Sequence, residues 1–495
     1  MISNQRPSET LPIHGRELFV DNSLIAEMDE GLGLHLHAPV EREIAIVHDA
    51  EWEGNVSTFH TVFQDGNRFR MYYRGSHLSK YGGQQRADHA EFACYAESGD
   101  GIRWQKPCLD VVPLAGSGGN NILWQGDGAH DLAPFLDRNP AAADSARYKA
   151  VARTRIASNT FGLNAFSSPD GIHWQRMGAK PVITDGHFDS LNVAFWDENI
   201  KAYACYYRDF CNRSGGNLRD GTPIGDRAIK VACSDDFLNW SEGRFLDFGD
   251  SPADHLYTNA IQIYHRAPHL YLGFPMRFVQ VGDPNDPQGN VCDALFMSSR
   301  DGVRFHRWDE AVVRPGLRAS RWVHRNNLPA WGLLETAAAE PGGPPELSFF
   351  TSENYGSGDA SCLRRHTWRL DGFVSVRARR QGGVLRTQLL GLDGAGGRRI
   401  SGIRVNLSTS AAGFLRAEIF GADGRTLPGF GMEDSLTLRG DGIDLPLRWK
   451  GGEAPPDLSG CAFGLRLELC DADLYAMEFH QDGKHPEEAL HDENT

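Results

Sequence analysis

The sequence lacks an excess of positive charge: 50 Lys and Arg stand against 65 Asp and Glu, a net charge of −15. Without a basic field, nucleic acid and anionic membrane surfaces are excluded as expected partners. No run approaches the roughly 20 apolar residues of a membrane-spanning helix, and Met1–Pro7 has no apolar core of a secretory signal, so a cytoplasmic protein is expected. The nine cysteines are odd in number and scattered from Cys94 to Cys470, with no C-x-x-C pair. Neither a disulfide framework nor a zinc cluster is expected from them. G-x-S-x-G, P-loop, strand-linked G-x-G-x-x-G and H-E-x-x-H patterns are missing too, leaving no motif for a cofactor or a catalytic metal. Sustained apolar spacing at i, i+3, i+4 and i+7 is scarce, which excludes a mainly helical fold.

What is present is rich in glycine, with 55 residues, and in short alternating runs between Gly, Asp and Asn turns. Phe69–Arg74, Tyr148–Arg153, Ala202–Arg208 and Leu270–Pro275 read as strands. A turn motif recurs as Ser98-Gly99-Asp100-Gly101, Ser168-Pro169-Asp170-Gly171, Ser234-Asp235-Asp236-Phe237 and Ser299-Arg300-Asp301-Gly302, each followed within three residues by Trp104, Trp174, Trp240 or Phe305. The aspartates are 70, 66 and 65 residues apart. A period of that length suits one four-stranded propeller blade with long loops, the Asp turn closing a hairpin and the aromatic side chain pinning the next strand.

Four turns and the strands between Trp331 and Trp368 predict an all-β fold with a five-bladed β-propeller over residues 15–372. The early run Glu17–Asp21 is expected to close the ring. After Gly372 the period stops and clean alternation begins, as in Leu415–Ile419 and Phe463–Leu469. A C-terminal β-sandwich over 373–482 is predicted, followed by a mobile polar tail, 483–495.

His130–Asp137 resembles the inner strand of the second blade in the arabinanase/levansucrase/invertase superfamily, which includes glycoside hydrolase families 32 and 43; Leu132 stands where that superfamily has proline. Together with Glu17–Asp21, Phe188–Asp197 and Asp471–Tyr475, the chain resembles bacterial propeller proteins described as glycosyl-hydrolase-like. The resemblance implies a glycosidase. Asp131 would then stabilise an oxocarbenium-like state, Asp189 would be the acid, and the base or nucleophile would come from blade one, where Glu53 is the candidate.

Cleaving a glycosidic bond needs two carboxyl groups of different proton affinity. In a propeller, side chains at one end of the inner strands converge on a single funnel, so Asp131, Asp189, Asp254 and Glu53 are the catalytic candidates. The alternative fate of each aspartate is to cap a turn through its own backbone. His60, His130, Asn192, His255, Tyr257, Asn259 and Glu335 are candidates for holding sugar hydroxyls. Arg74, Arg153, Arg208 and Arg277 close second strands, and guanidinium forks suit carboxylate, sulfate or phosphate. The expected partner is therefore a carbohydrate, neutral or anionic, with no cofactor and no metal. Hydrolysis of a small oligosaccharide or glycoside is the first reading; phosphorolysis and non-catalytic sugar binding are the alternatives.

Overall fold

The computed structural model of the chain describes residues 10–81, 84–114, 119–158, 160–211, 225–281, 290–392, 399–458 and 460–481. The tail 483–495 lies outside the described residues. The chain divides into two compact units: Ala38–Tyr264 with Pro268–Trp368, and Met1–His37 with His265–Ala267 and Arg369–Thr495.

The larger unit carries five four-stranded sheets in succession. Their innermost strands are Thr58–Asp65, Ala133–Leu136, Val193–Asp197, Gln262–Ile263 and Leu334–Thr336. Each lies beside the next, and the last meets the first. Ala133–Leu136 packs between Thr58–Asp65 and Val193–Asp197. Asn259 donates to the Tyr206 carbonyl at 3.1 Å, joining the fourth sheet to the third, and Trp331 Nε1 donates to the Ile261 carbonyl at 2.7 Å, joining the fifth to the fourth. Val62 N–H donates to Trp331 O at 2.8 Å and Trp331 N–H to His60 O at 2.9 Å, which closes the ring. This is a β-propeller.

The repeated turns fasten neighbouring blades. In each, the aspartate Oδ1 accepts the N–H groups two and three residues on, as Asp100 does from Ile102 and Arg103 at 2.8 Å. Next to it, Gly101, Gly171, Phe237 and Gly302 take left-handed φ of 71°, 77°, 68° and 72°. The turned-out carbonyls are then met by the blade before: Tyr72 Oη donates to Gly171 O at 3.1 Å and Tyr206 Oη to Gly302 O at 2.9 Å. A Cβ at Gly171 would stand 2.6 Å from Tyr72 Oη, so the fastening needs glycine there. Phe237 pays the conformational cost of a side chain at this φ and packs against Phe135 and Tyr203, with ring centroids 5.6 and 5.1 Å away.

The domain boundaries differ from those the sequence predicts. The propeller begins at residue 38, not 15, and ends at 368. The ring is closed by Val40–Val47, which adds to Cys362–Arg369 as the outer strand of the fifth blade. Arg16–Leu18 instead pairs with Phe463–Gln481, and Leu11–Ile13, Ile25–Met28 and Leu32–Leu36 join the same sheet. The reason lies in their apolar residues: Phe19 and Leu24 are buried in one core with Val376, Leu385, Leu474 and Met477.

In the second unit the strands are hydrogen-bonded into one ten-stranded sheet. Ile400–Gly421 and Phe463–Gln481 run antiparallel, with the pairing broken between Thr409 and Phe414. Ile403, Val405 and Leu407 before the break, and Leu415, Ala417 and Ile419 after it, enter the same core. One curled sheet thus encloses what two layers of a sandwich would.

Candidate active site

The loops that feed the inner strands bring His130 and Asp131, Asp189, Tyr257 and Arg325 together with Arg74, Arg153, Arg208 and Arg227 from the second and third strands of the blades. Asp131 is 2 % exposed. Its Oδ1 accepts the Arg153 N–H at 2.8 Å and its Oδ2 accepts Asn192 Nδ2 at 3.2 Å. Burial outweighs the nearby charges of His130 and Arg153 and pushes its carboxyl up to about 6.

Asp189 has the opposite environment. Its side chain is 43 % exposed, and Oδ1 meets His130 Nε2 at 3.2 Å and Arg153 Nη1 at 3.1 Å. Partial burial raises its proton affinity, but the His130 hydrogen bond and the charges of Arg325 and Arg153 prevail and hold it well below the usual carboxylate range. Arg153 therefore touches both carboxyl groups, one through its backbone and one through its guanidinium. His130 is fixed from behind by Glu91, whose Oε2 lies 2.9 Å from Nδ1. Against the effect of burial, His130, Arg74 and Arg153 hold the Glu91 carboxyl down to about 2.

Arg208, Arg227 and Arg325 surround Tyr257, their guanidinium carbons 5.5, 5.8 and 5.4 Å from its ring centroid. Arg325 takes φ of 62° and donates to Tyr355 Oη at 2.6 Å and to His324 Nε2 at 3.0 Å. Burial, aided by Arg325 and Arg227, pushes His324 down to about 3, consistent with its role as acceptor. Asn192 ties the parts: its amide donates to Asp131, Phe188 O and Ser190 O, and its oxygen accepts the Arg208 N–H at 3.1 Å.

Of the residues singled out from sequence, the structure brings together Asp131, Asp189, His130, Arg74, Asn192, Arg208 and Tyr257. Others are engaged in structural work. Glu53 is buried between Tyr73 Oη and Lys106 Nζ, both at 2.5 Å, with its other contact the Ala50 N–H, so blade one sends no carboxylate from this position to Asp189. His60 is buried against His48, Nε2 to Nε2 3.0 Å, and its burial holds it well below the ordinary histidine value. Asp254 pairs with Arg307 at 3.0 Å, and Arg277 is held bidentately by Asp293 at 2.7 and 3.0 Å. His255 stands one layer back, accepting the Arg227 N–H at 3.2 Å. Asn259 is spent on backbone, donating to Tyr206 O and accepting Ile261 N–H. Glu335 stands past the ring-closing Trp331 in Leu334–Thr336.

Sequence reading missed Glu91, Arg227 and Arg325. Arg227 lies on the hairpin partner of the Arg208 strand, opposite Phe210. Arg325 precedes the inner strand of the fifth blade, Leu334–Thr336.

No known protein family and no curated protein matches the sequence. Among solved structures, the chain is similar to a glycoside hydrolase at 13 % identity over 67 % of this chain and 92 % of that one, with a TM-score of 0.44. It is similar to an N-acetylgalactosamine deacetylase from F. plautii, in complex with blood group B trisaccharide, at 13 % identity over 68 % and 95 %, TM-score 0.40. A third is the Bombyx mori family 32 β-fructofuranosidase, at 10 % identity over 92 % and 96 %, TM-score 0.39.

Proposed function

We propose that the chain cleaves glycosidic bonds, with Asp131 and Asp189 as its working carboxyl groups. The observation that carries this reading is the opposed setting of the two carboxyl groups, Asp131 buried and Asp189 held by His130 and Arg153, which pushes the first up to about 6 and holds the second well below the usual range. Two carboxyl groups driven apart in this way have the properties of an acid and a base. The charges reverse the roles implied by the resemblance. Asp131, retaining its proton to higher pH, protonates the leaving oxygen; Asp189, ionised, attacks the anomeric carbon or draws a proton from water. His130 and Arg153 orient Asp189, and Glu91 and Asn192 hold the groups behind them. The substrate is a small oligosaccharide or glycoside.

A second reading is phosphorolysis, favoured by the arginines around Tyr257, which could hold free phosphate in place of the attacking water. The test is turnover of a panel of nitrophenyl glycosides and short oligosaccharides with and without phosphate. Hydrolysis should proceed without phosphate. Because the donor must be protonated, kcat/KM should fall about tenfold per pH unit above about 6, while Asp189 stays ionised throughout. Strict dependence on phosphate would establish the second reading, and no turnover in either condition would leave a sugar-binding propeller.

A further inference from the structure

We infer that Arg208, Arg227 and Arg325 form a receptor for one oxyanion group, a carboxylate, sulfate or phosphate, carried by the sugar or supplied as free phosphate. The inference rests on the reading of this site as one that cleaves glycosides, and it names the class of ligand that such a site accepts.

Arginines in this propeller are mostly paired with acids. Arg153 meets Asp189 at 3.1 Å, Arg277 meets Asp293 at 2.7 Å and Arg307 meets Asp254 at 3.0 Å. Among the described residues no carboxylate oxygen comes within 4.0 Å of Arg208, Arg227 or Arg325. Their hydrogen-bond partners are neutral: Arg208 Nε donates to His187 O at 2.7 Å, Arg227 Nη1 faces His255 Nδ1 at 3.4 Å, and Arg325 has Tyr355 and His324. Arg208 is only 6 % exposed. Desolvation, and then the repulsion of Arg208, lowers the Arg227 proton affinity, as desolvation lowers that of Arg208.

Three guanidiniums gathered on one aromatic ring repel each other, and the ring face offsets only part of that repulsion. Among the described residues, two buried polar atoms at the same place have no hydrogen-bond partner, Arg227 Nε and the Tyr257 hydroxyl. A neutral sugar hydroxyl could satisfy either atom but not the charge. An oxyanion satisfies both, accepting from guanidinium forks and from the hydroxyl at once. The ionised Asp189 makes its hydrogen bonds to His130 and Arg153 and offsets only part of the three positive charges, from beyond ion-pair distance.

The test is calorimetric titration of the full chain with glucuronate and galacturonate, with glucose and galactose as their neutral counterparts, and with inorganic phosphate and sulfate. At least one oxyanion ligand should bind about 100-fold tighter than the neutral sugars. Arg227→Gln and Arg325→Gln should each weaken it about 10- to 100-fold, a larger loss than either variant shows for the neutral sugars. Tight binding of a uronate alone places the charge on the sugar; tight binding of phosphate or sulfate alone places it on a free ion. Should a variant fail to fold, the comparison of charged and neutral ligands on the native chain, repeated as a shift in melting temperature, still decides. Equal affinity for acid and neutral sugars, with no binding of phosphate or sulfate, overturns the inference. Binding does not require turnover: a chain that prefers acids yet cleaves nothing sinks the glycosidase reading alone, and a chain that cleaves glycosides with no such preference sinks this inference alone.

Discussion

Replacing Asp189 with Asn should lower kcat/KM by about 10⁴-fold or more on every glycoside the chain cleaves, because an ionised nucleophile or base is needed whatever the leaving group. Asp131→Asn should behave differently. Loss of a general acid costs about 10²–10⁴-fold on a substrate whose leaving oxygen must be protonated, and far less on a nitrophenyl glycoside, whose leaving group departs as the anion. The comparison is steady-state kinetics of both variants on a natural glycoside and on its nitrophenyl analogue. The reverse pattern, with Asp189→Asn sparing the nitrophenyl substrate, would return the acid to Asp189. That outcome would require Arg153, Arg325 and His130 to hold an uncharged carboxyl, against the electrostatics around it.

Gly332→Ala should be severely destabilising, by more than about 4 kcal/mol, which for a unit of this size is a melting shift of about 6 °C or more. Gly332 takes φ of 118°, and a Cβ there would stand 1.9 Å from the Val62 carbonyl oxygen. Two effects therefore combine. The conformation alone costs a non-glycine residue about 1–3 kcal/mol, and relief of the contact would pull the fifth blade from the first at the place where Val62 and Trp331 close the ring. Gly99→Ala, where a Cβ meets nothing within 4 Å, is the control. Calorimetric melting of the two variants should separate them clearly, and a Gly332→Ala melt within 2 °C of the native chain would mean that the ring is not closed at this glycine.

The Ser-x-Asp turns made the propeller legible, because each is a local device: an aspartate accepting two nearby N–H groups, a left-handed residue, and an aromatic ring a few positions on. Nothing non-local is needed to see them. The N-terminal strands were not legible in the same way. Glu17–Asp21 and Val40–Val47 both read as strands, and which one closes the ring depends on whether Phe19 and Leu24 find their core with Val376 and Leu385, 350 or more residues away along the chain.

The site divides along the same line. His130, Asp131, Asp189 and Tyr257 were found because each stands two to five residues ahead of an inner strand. Arg325 lies nine residues ahead of Leu334–Thr336, outside that window, and looking inside the strand led instead to Glu335. Arg227 required pairing the two strands of a hairpin across residues 212–224. Glu53 and His60 have the chemistry of site residues and lie near an inner strand, but Lys106, Tyr73 and His48, which occupy them, come from other strands and loops. Residue type could name the carboxylates; only three-dimensional neighbours could say which would keep its proton.

The most direct measurement is the titration of these two carboxyl groups by carbon NMR of protein labelled at the aspartate side-chain carboxyl, each resonance assigned by its loss in Asp131→Asn or Asp189→Asn. Asp131 should titrate near pH 6, and Asp189 should remain ionised well below pH 3.8. Two ordinary titrations near pH 4, or an Asp189 that holds its proton to higher pH than Asp131, would contradict the division of acid and base on which the proposed function depends.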